Sequence, residues 1–214
     1  MHVLITGANR GIGAQLAADC AARGDRVTAT SRDGSAGAVL DVTRPEAHEA
    51  LAAELDGTAL DLLICNAGVY LDKGQSLEDG FAPEMWAATF AANVTGVFLT
   101  IQTLLPNLRA AQSAKIAIIS SQMASDTQAP GGSYIYRASK AAALNLGRNL
   151  ASDLKGEGIA VGIYHPGWVR TDMGSAAAEI STEEASRGLL ERFDALSVAK
   201  TGCFETWDGR AHPF

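Results

Sequence analysis

Positive charge is scarce in this chain: 17 Lys and Arg stand against 24 Asp and Glu in 214 residues, a net charge of −7. No basic stripe interrupts that balance, so nucleic acid is not an expected partner. Cysteine is nearly absent. Cys20, Cys65 and Cys203 lie far apart and form neither a CxxC pair nor a zinc-ligand spacing. That argues against a disulfide framework and a metal centre, and it suits a reducing compartment. Cys65 closes the apolar run Leu60–Cys65 and reads as a small core residue. No run approaches the ~18 consecutive apolar residues of a membrane span. The start, His2-Val3-Leu4-Ile5, lacks the charged flank and longer apolar stretch of a secretory signal. The expectation is a cytoplasmic protein with no membrane, nucleic-acid or metal partner. Repeats, low-complexity tracts and linkers are missing too. With 47% hydrophobic residues the chain can build one sizeable core, which points to a single domain over residues 1–214.

What is present is alternation. Short β-rich runs occur at Val3–Thr6, Arg26–Ser31, Ala38–Leu40, Leu60–Cys65, Lys115–Ser120, Ile159–Tyr164 and Cys203–Trp207. Several are apolar throughout, as strands buried on both faces should be. Alanine-rich, helix-like stretches separate them: Ile12–Arg23, Pro45–Leu55, Pro83–Ala110, Arg137–Lys155 and Thr182–Leu196. Ser181 with Glu184 reads as a capping box, and Arg23-Gly24 and Lys155-Gly156 read as helix ends. The pattern predicts an α/β, doubly wound, Rossmann-type domain with a mostly parallel seven-stranded sheet and helices on both faces.

Thr6-Gly7-Ala8-Asn9-Arg10-Gly11-Ile12-Gly13 follows the first strand directly and opens a helix. Glycines there let the backbone turn tightly against a pyrophosphate, and the helix N-terminus favours its charge. The spacing is GxxxGxG rather than GxGxxG, and an ordinary glycine-rich turn would look similar.

Tyr136 and Lys140 are four residues apart on a predicted helix, hence on one face. A free phenol titrates near pH 10. An ammonium ~4 Å away, at an effective dielectric of ~20, would favour the phenolate by ~4 kcal/mol, or about three pKa units. That would suit a general acid or base. A solvated tyrosine and lysine would share the spacing, so context matters. Ser120 and Ser121 end the strand just upstream, where a hydroxyl faces the ligand crevice. Asn93 sits within a predicted helix, an awkward place for asparagine, although a locally bonded amide would also explain it.

These residues resemble the short-chain dehydrogenase/reductase family. The likeness runs in order through Thr6–Gly13, Asp41-Val42, Asn66-Ala67-Gly68, Asn93, Ser120-Ser121, Tyr136–Lys140 and Pro166–Thr171, and so covers nearly the whole chain. A narrower likeness, carried by Pro166–Met173 and Trp207–Arg210, is to C-factor-like proteins and sniffer-type carbonyl reductases. The resemblance implies that Tyr136 is the catalytic acid/base. Lys140 would tune it and hold the nicotinamide ribose, Ser121 would orient the substrate oxygen, and Asn93 would anchor a proton-relaying water. Gly7, Asn9, Arg10, Gly11, Ile12 and Gly13 would surround the phosphates and adenosine, and Asp41 and Val42 would border the adenine. Asn66, Ala67 and Gly68 would wall the groove, while Pro166, Gly167, Val169 and Thr171 would hold the carboxamide end. Two departures stand out. Ser121 lies two residues further from Tyr136 than the commonest family spacing, and only Asp172–Ile180 is available as a substrate lid.

Cofactor choice is read from the end of the second strand. Ser31 occupies the position where NAD-binding proteins place an acid, and Arg32 and Arg10 suit a 2′-phosphate. NADP(H) is therefore expected over NAD(H), with Asp33, two positions late, expected to point elsewhere. His165 is expected to be a satisfied strand-end histidine, and Trp168 either lines the substrate pocket or packs the turn. The expected substrate is a small carbonyl or alcohol, and pairing through the helices Pro83–Ala110 and Arg137–Lys155 would give a homodimer. The rival is a catalytically idle signalling or regulatory protein on the same fold.

Overall fold

Alternating side chains of the apolar strands bury two opposite faces, and the computed structural model, which describes residues 1–214, shows how. The chain runs β1 (His2–Ile5), α1 (Gly11–Ala22), β2 (Arg26–Ser31), β3 (Ala38–Val39), α2 (Pro45–Leu55), β4 (Leu62–Cys65), α3 (Pro83–Phe90) and α4 (Gly96–Arg109). It continues through β5 (Lys115–Ile119), α5 (Tyr134–Leu154), β6 (Ala160–His165), α6 (Thr182–Ala195) and β7 (Cys203–Thr206). The seven strands form one sheet in the order β3-β2-β1-β4-β5-β6-β7, and every pairing is parallel. One face is closed by Leu51 and Leu55 of α2, Ile101 and Leu104 of α4, and Leu144 and Leu154 of α5, packed on Leu63, Ile116, Ile118 and Ile163. The other is closed by Leu16 of α1 and Leu189 and Phe193 of α6, packed on Ile5, Leu62, Ile64 and Tyr164. Strand residues one apart thus serve opposite cores, which is why the strands read as continuous apolar runs.

The order places the first β-α-β unit on one side of β1 and the later units on the other, so a crevice opens between the carboxyl ends of β1 and β4. The glycine turn and the Asn66–Gly68 segment border it.

Several details differ from the sequence expectation. The stretch Pro83–Arg109 is 27 residues long and apolar enough, by length and composition, to cross a membrane. Here it serves the core, with Val97, Ile101, Leu104 and Leu108 buried. It is also not one regular helix, because a π turn at Ala91–Thr95 divides it. The catalytic-helix candidate begins at Tyr134 rather than Arg137. It ends at Leu154 with Lys155 as its C-cap, next to the expected end, and a 3-10 turn over Lys155–Glu157 carries the chain to Gly158, in the left-handed region at φ 77°. The capping box at Ser181 and Glu184 is formed.

Helix α5 lies very close to the sheet at Gly147. A Cβ there would come within 2.6 Å of Ile163 Cγ1 and 3.0 Å of Ile118 Cδ1. Overpacking of this kind costs ~1–3 kcal/mol. Gly147→Val should therefore lower unfolding stability in urea by about 2 kcal/mol or more. Gly156→Ala, with nothing within 4 Å of its added carbon, should leave stability within ~0.5 kcal/mol of the parent. Equal midpoints for the parent and Gly147→Val would show that α5 does not depend on this approach.

Candidate active site

The crevice is held open by a clamp between the ends of β1 and β4. Asn66 Nδ2 donates to the Thr6 carbonyl (3.0 Å) and the Gly7 carbonyl (2.9 Å). Thr6 Oγ1 in return accepts from the Asn66 and Ala67 N–H groups, both at 3.0 Å. Gly7 has φ 67°, and a Cβ on it would reach 2.9 Å from Ala67 Cα. On Gly13 a Cβ would lie 2.3 Å from the Gly7 carbonyl oxygen and 2.4 Å from Asn66 Nδ2. Both positions therefore require glycine. Helix α1 begins at Gly11 with no side-chain cap and no acid in its first turn. Its N-terminal donors are free for an anion, and the helix dipole favours one. Residues and geometry thus fit the pyrophosphate of a dinucleotide. Asn9 is exposed at the rim, and Ile12 packs under the turn against the α1 core.

Along the groove, Val42 backs onto the start of α4, where a Cβ on Gly96 would lie 2.7 Å from the Val42 carbonyl oxygen. Asp41 accepts from the Thr43 N–H (3.0 Å) and hydroxyl (2.7 Å). Burial alone would raise its pKa, but those bonds and the nearby Arg32 and Arg44 outweigh it and hold the carboxylate low. Gly167, at φ 90°, lets the chain turn after β6 past Pro166, and Val169 pairs with Ile180. Thr171 comes to the other lip of the crevice, so that a Cβ on Gly11 would be 3.3 Å from its Cγ2.

The second cluster lies at the carboxyl ends of β4 and β5. Tyr136, Lys140, Ser121 and Asn93 are all buried, at 6%, 5%, 7% and 1% exposure. Lys140 Nζ donates to the Ile119 carbonyl (2.9 Å) and lies 5.7 Å from the centroid of the Tyr136 ring. An ammonium has three donors. The protein fills one, and Gly68 leaves room for the others, since a Cβ there would be 3.5 Å from Nζ. Ser121 Oγ accepts from the Met123 N–H (3.1 Å), and its hydroxyl faces the Tyr136 phenol. Ser120, the lesser candidate, is spent on structure, with its hydroxyl donating to the Lys140 carbonyl (3.0 Å).

Asn93 sits in the π turn, not in a regular helix. Its Nδ2 donates to the Val69 carbonyl (2.9 Å) and Ser139 Oγ (3.0 Å), and its Oδ1 accepts from the Val69 N–H (2.8 Å). Both amide protons are therefore used, and the visible task of this side chain is to pin the loop after β4.

Electrostatics depart from the sequence expectation. Burial raises the Tyr136 phenol above its ordinary pKa; the Ser121 hydroxyl opposes this, and Tyr70 and Asp72 add to it. Burial also brings Lys140 down, to about 8. The ammonium is bonded to a carbonyl rather than set close to the phenol, so desolvation governs both groups here.

Three side chains lie elsewhere than expected. Asp33 does not point away: its Oδ1 accepts from the Ser31 hydroxyl (2.9 Å) and from the Ser35 N–H and hydroxyl. Hydrogen bonds from Ser35 and then Ser31 hold it at about 2. Arg10 turns to Asp172 (2.9 Å), linking the glycine turn to the segment after β6, while Arg32 is exposed and forms no ion pair. His165 is not satisfied. Its Nδ1 is buried without a partner, and burial, followed by His212, lowers it to about 4. Trp168 is half exposed and donates from Nε1 to the Gly174 carbonyl (3.0 Å), so it ties the Asp172–Ile180 segment as well as facing outward. The sequence reading also passed over Tyr70 and Asp72. Tyr70 stacks on Tyr136 with ring centroids 4.2 Å apart, and Asp72 is completely buried. Only an aromatic and an acid shortly after Asn66–Gly68 marked them in the sequence.

A family model described as short chain dehydrogenase matches residues 1–181. The 1-hydroxy-2-glutathionyl-2-methyl-3-butene dehydrogenase of Rhodococcus sp. (strain AD45) is 34% identical over 224 residues, covering 97% of this chain and 96% of that protein. The C-signal protein of Myxococcus xanthus is 36% identical over 156 residues, covering 72% of this chain and 93% of its own. Among solved structures, the NADPH-bound carbonyl reductase from chicken fatty liver superposes with a TM-score of 0.90 at 29% identity, covering 100% of this chain and 98% of that one. By its matched length, its clamped glycine turn and its buried Tyr136 and Lys140, the chain belongs to the short chain dehydrogenase family of oxidoreductases.

Proposed function

We propose that residues 1–214 act as one dinucleotide-binding and catalytic domain that moves a hydride between NADP(H) and a carbonyl or alcohol carbon, with Tyr136 as acid/base. One observation carries this reading: Tyr136, Lys140 and Ser121 are buried together at the strand ends beside the crevice. When bound, the nicotinamide supplies the hydride chemistry. The chain supplies orientation and proton control. Ser121 donates its hydroxyl proton in a hydrogen bond to the substrate oxygen. Tyr136, whose buried phenol keeps its proton at neutral pH, donates that proton as charge develops on the same oxygen. Lys140 turns its unfilled donors toward the ribose hydroxyls. Lys73 Nζ, bonded to the Met173 carbonyl (2.9 Å), joins the loop after β4 to the short Asp172–Ile180 segment. An open hollow of about 170 Å³ lies on the Ser121 side, lined by Gln122, Met123, Gln128, Pro130 and Arg137. So short a segment after Thr171 suits small or flat carbonyl compounds with weak discrimination.

The relative named C-signal favours a second reading, a signalling role on this fold. Oxidation of NADPH against a panel of aldehydes, ketones and quinones separates the two. Tyr136→Phe should lower turnover by about 10²- to 10⁴-fold, because a general acid is lost, while NADPH affinity survives with the ring. Parent-level turnover in the Phe variant would remove Tyr136 from the chemistry.

NADPH is expected to bind at least about tenfold, or ~1.4 kcal/mol, more tightly than NADH. Support comes from Ser31 at the end of β2, from the unpaired Arg32, and from the cofactor bound in the chicken reductase. Calorimetry on Arg32→Ala should show most of that gap gone with NADH affinity kept. Asp33→Asn should widen it, because a negative group beside Ser31 is removed. Equal affinities in the parent would end the assignment. A homodimer through the stretch Pro83–Ala110, which holds α3 and α4, and through α5 is also expected, and Trp86 and Phe98 are exposed on α3 and α4. A monomer mass in light scattering at micromolar protein would contradict it.

A further inference from the structure

Helix α5 carries Tyr136 in its first turn, and that turn lacks an ordinary cap. Ser133 precedes it in the left-handed region at φ 48°, makes no side-chain cap bond, and has its hydroxyl on the Tyr70 hydroxyl. The first N–H groups of a helix need acceptors. Asp72 provides them from the loop after β4. Its Oδ2 accepts from the Ile135 N–H (2.8 Å), and both oxygens accept from the Tyr136 N–H (3.2 and 3.4 Å). Asp72 is 0% exposed and has no cation within ion-pair distance. A carboxylate buried without a counter-ion is costly unless hydrogen bonds compensate. Here the helix N-terminus and its dipole are the compensation.

The same loop meets Tyr136 a second way, through the Tyr70 ring stacked on the phenol at 4.2 Å and 22°. It is fixed upstream by Asn93, which binds both main-chain groups of Val69. We propose that Asp72 is a positioning residue for Tyr136: its buried carboxylate sets the first turn of α5, and so the phenol, against Ser121 and Lys140. This rests on Tyr136 being the acid/base. The carboxylate also acts on the proton. The charged and titratable groups around the phenol are Tyr70, Asp72 and Lys140, and of these Asp72 brings the negative charge, which favours the protonated phenol.

Asparagine at position 72 keeps an acceptor oxygen but removes the charge, whereas alanine removes both. The test measures NADPH-dependent reduction of 4-nitrobenzaldehyde across pH, together with NADPH affinity, for Asp72→Asn, Asp72→Ala and Tyr136→Phe. In Asp72→Asn, kcat should fall about tenfold, with NADPH affinity within about threefold of the parent. The loss should fall on kcat rather than on KM, as expected when a proton donor is misplaced without loss of ground-state binding. Asp72→Ala should fall further in kcat, so that asparagine restores part of the loss. A parent-level kcat in Asp72→Asn overturns the proposal, even if alanine unfolds the protein. With Tyr136→Phe inactive, that result sinks only the role of Asp72; Tyr136→Phe at parent turnover would instead remove the reading on which it rests.

Discussion

The clamp between Thr6 and Asn66 is the interaction on which the rest of the site depends. Two parallel strands diverge in their onward connections at β1 and β4, and the crevice exists only if their carboxyl ends stay in register beyond the last strand bonds. Four hydrogen bonds of 2.9–3.0 Å, through one amide and one hydroxyl, do this. They also fix the Gly7 carbonyl that Gly13 must pass without a Cβ. Glycine is needed because polar groups already fill the space.

From that clamp a short loop carries the constraint across the molecule. Asn66–Gly68 walls the groove, Val69 is held by Asn93, Tyr70 lies on Tyr136, and Asp72 accepts from the first turn of α5. The π turn serves this arrangement. It interrupts a long apolar helix and places an amide where it reaches the loop and Ser139 at once. The Asn66–Gly68 segment and Tyr136 are therefore parts of one bonded unit, although they lie on elements far apart in sequence.

Burial is the other governing influence. It raises the Tyr136 phenol and lowers Lys140 to about 8, so each moves toward its neutral form. Two neutral-leaning groups in a dry pocket are sensitive to any charge placed beside them, because a low dielectric strengthens each interaction. At the far end of the groove the reverse holds. Asp33, Arg10 and Arg32 are exposed, and their charges act through water.

The sequence by itself determined the α/β order, the parallel sheet, the glycine turn and the pairing of Tyr136 with Lys140. Each of these is written in local periodicity or in short spacing: 2 for strands, four residues along a helix, glycines in one turn. Tertiary structure decided what no local pattern encodes. Arg10 left the ribose side because Asp172, distant in sequence, lies within reach. The phenol rose instead of falling because burial depends on the whole fold, and the lysine found a carbonyl on β5. Asp72 became the cap of α5 only once the sheet had set the loop after β4 against that helix, a contact between elements whose sequence separation leaves no periodic trace.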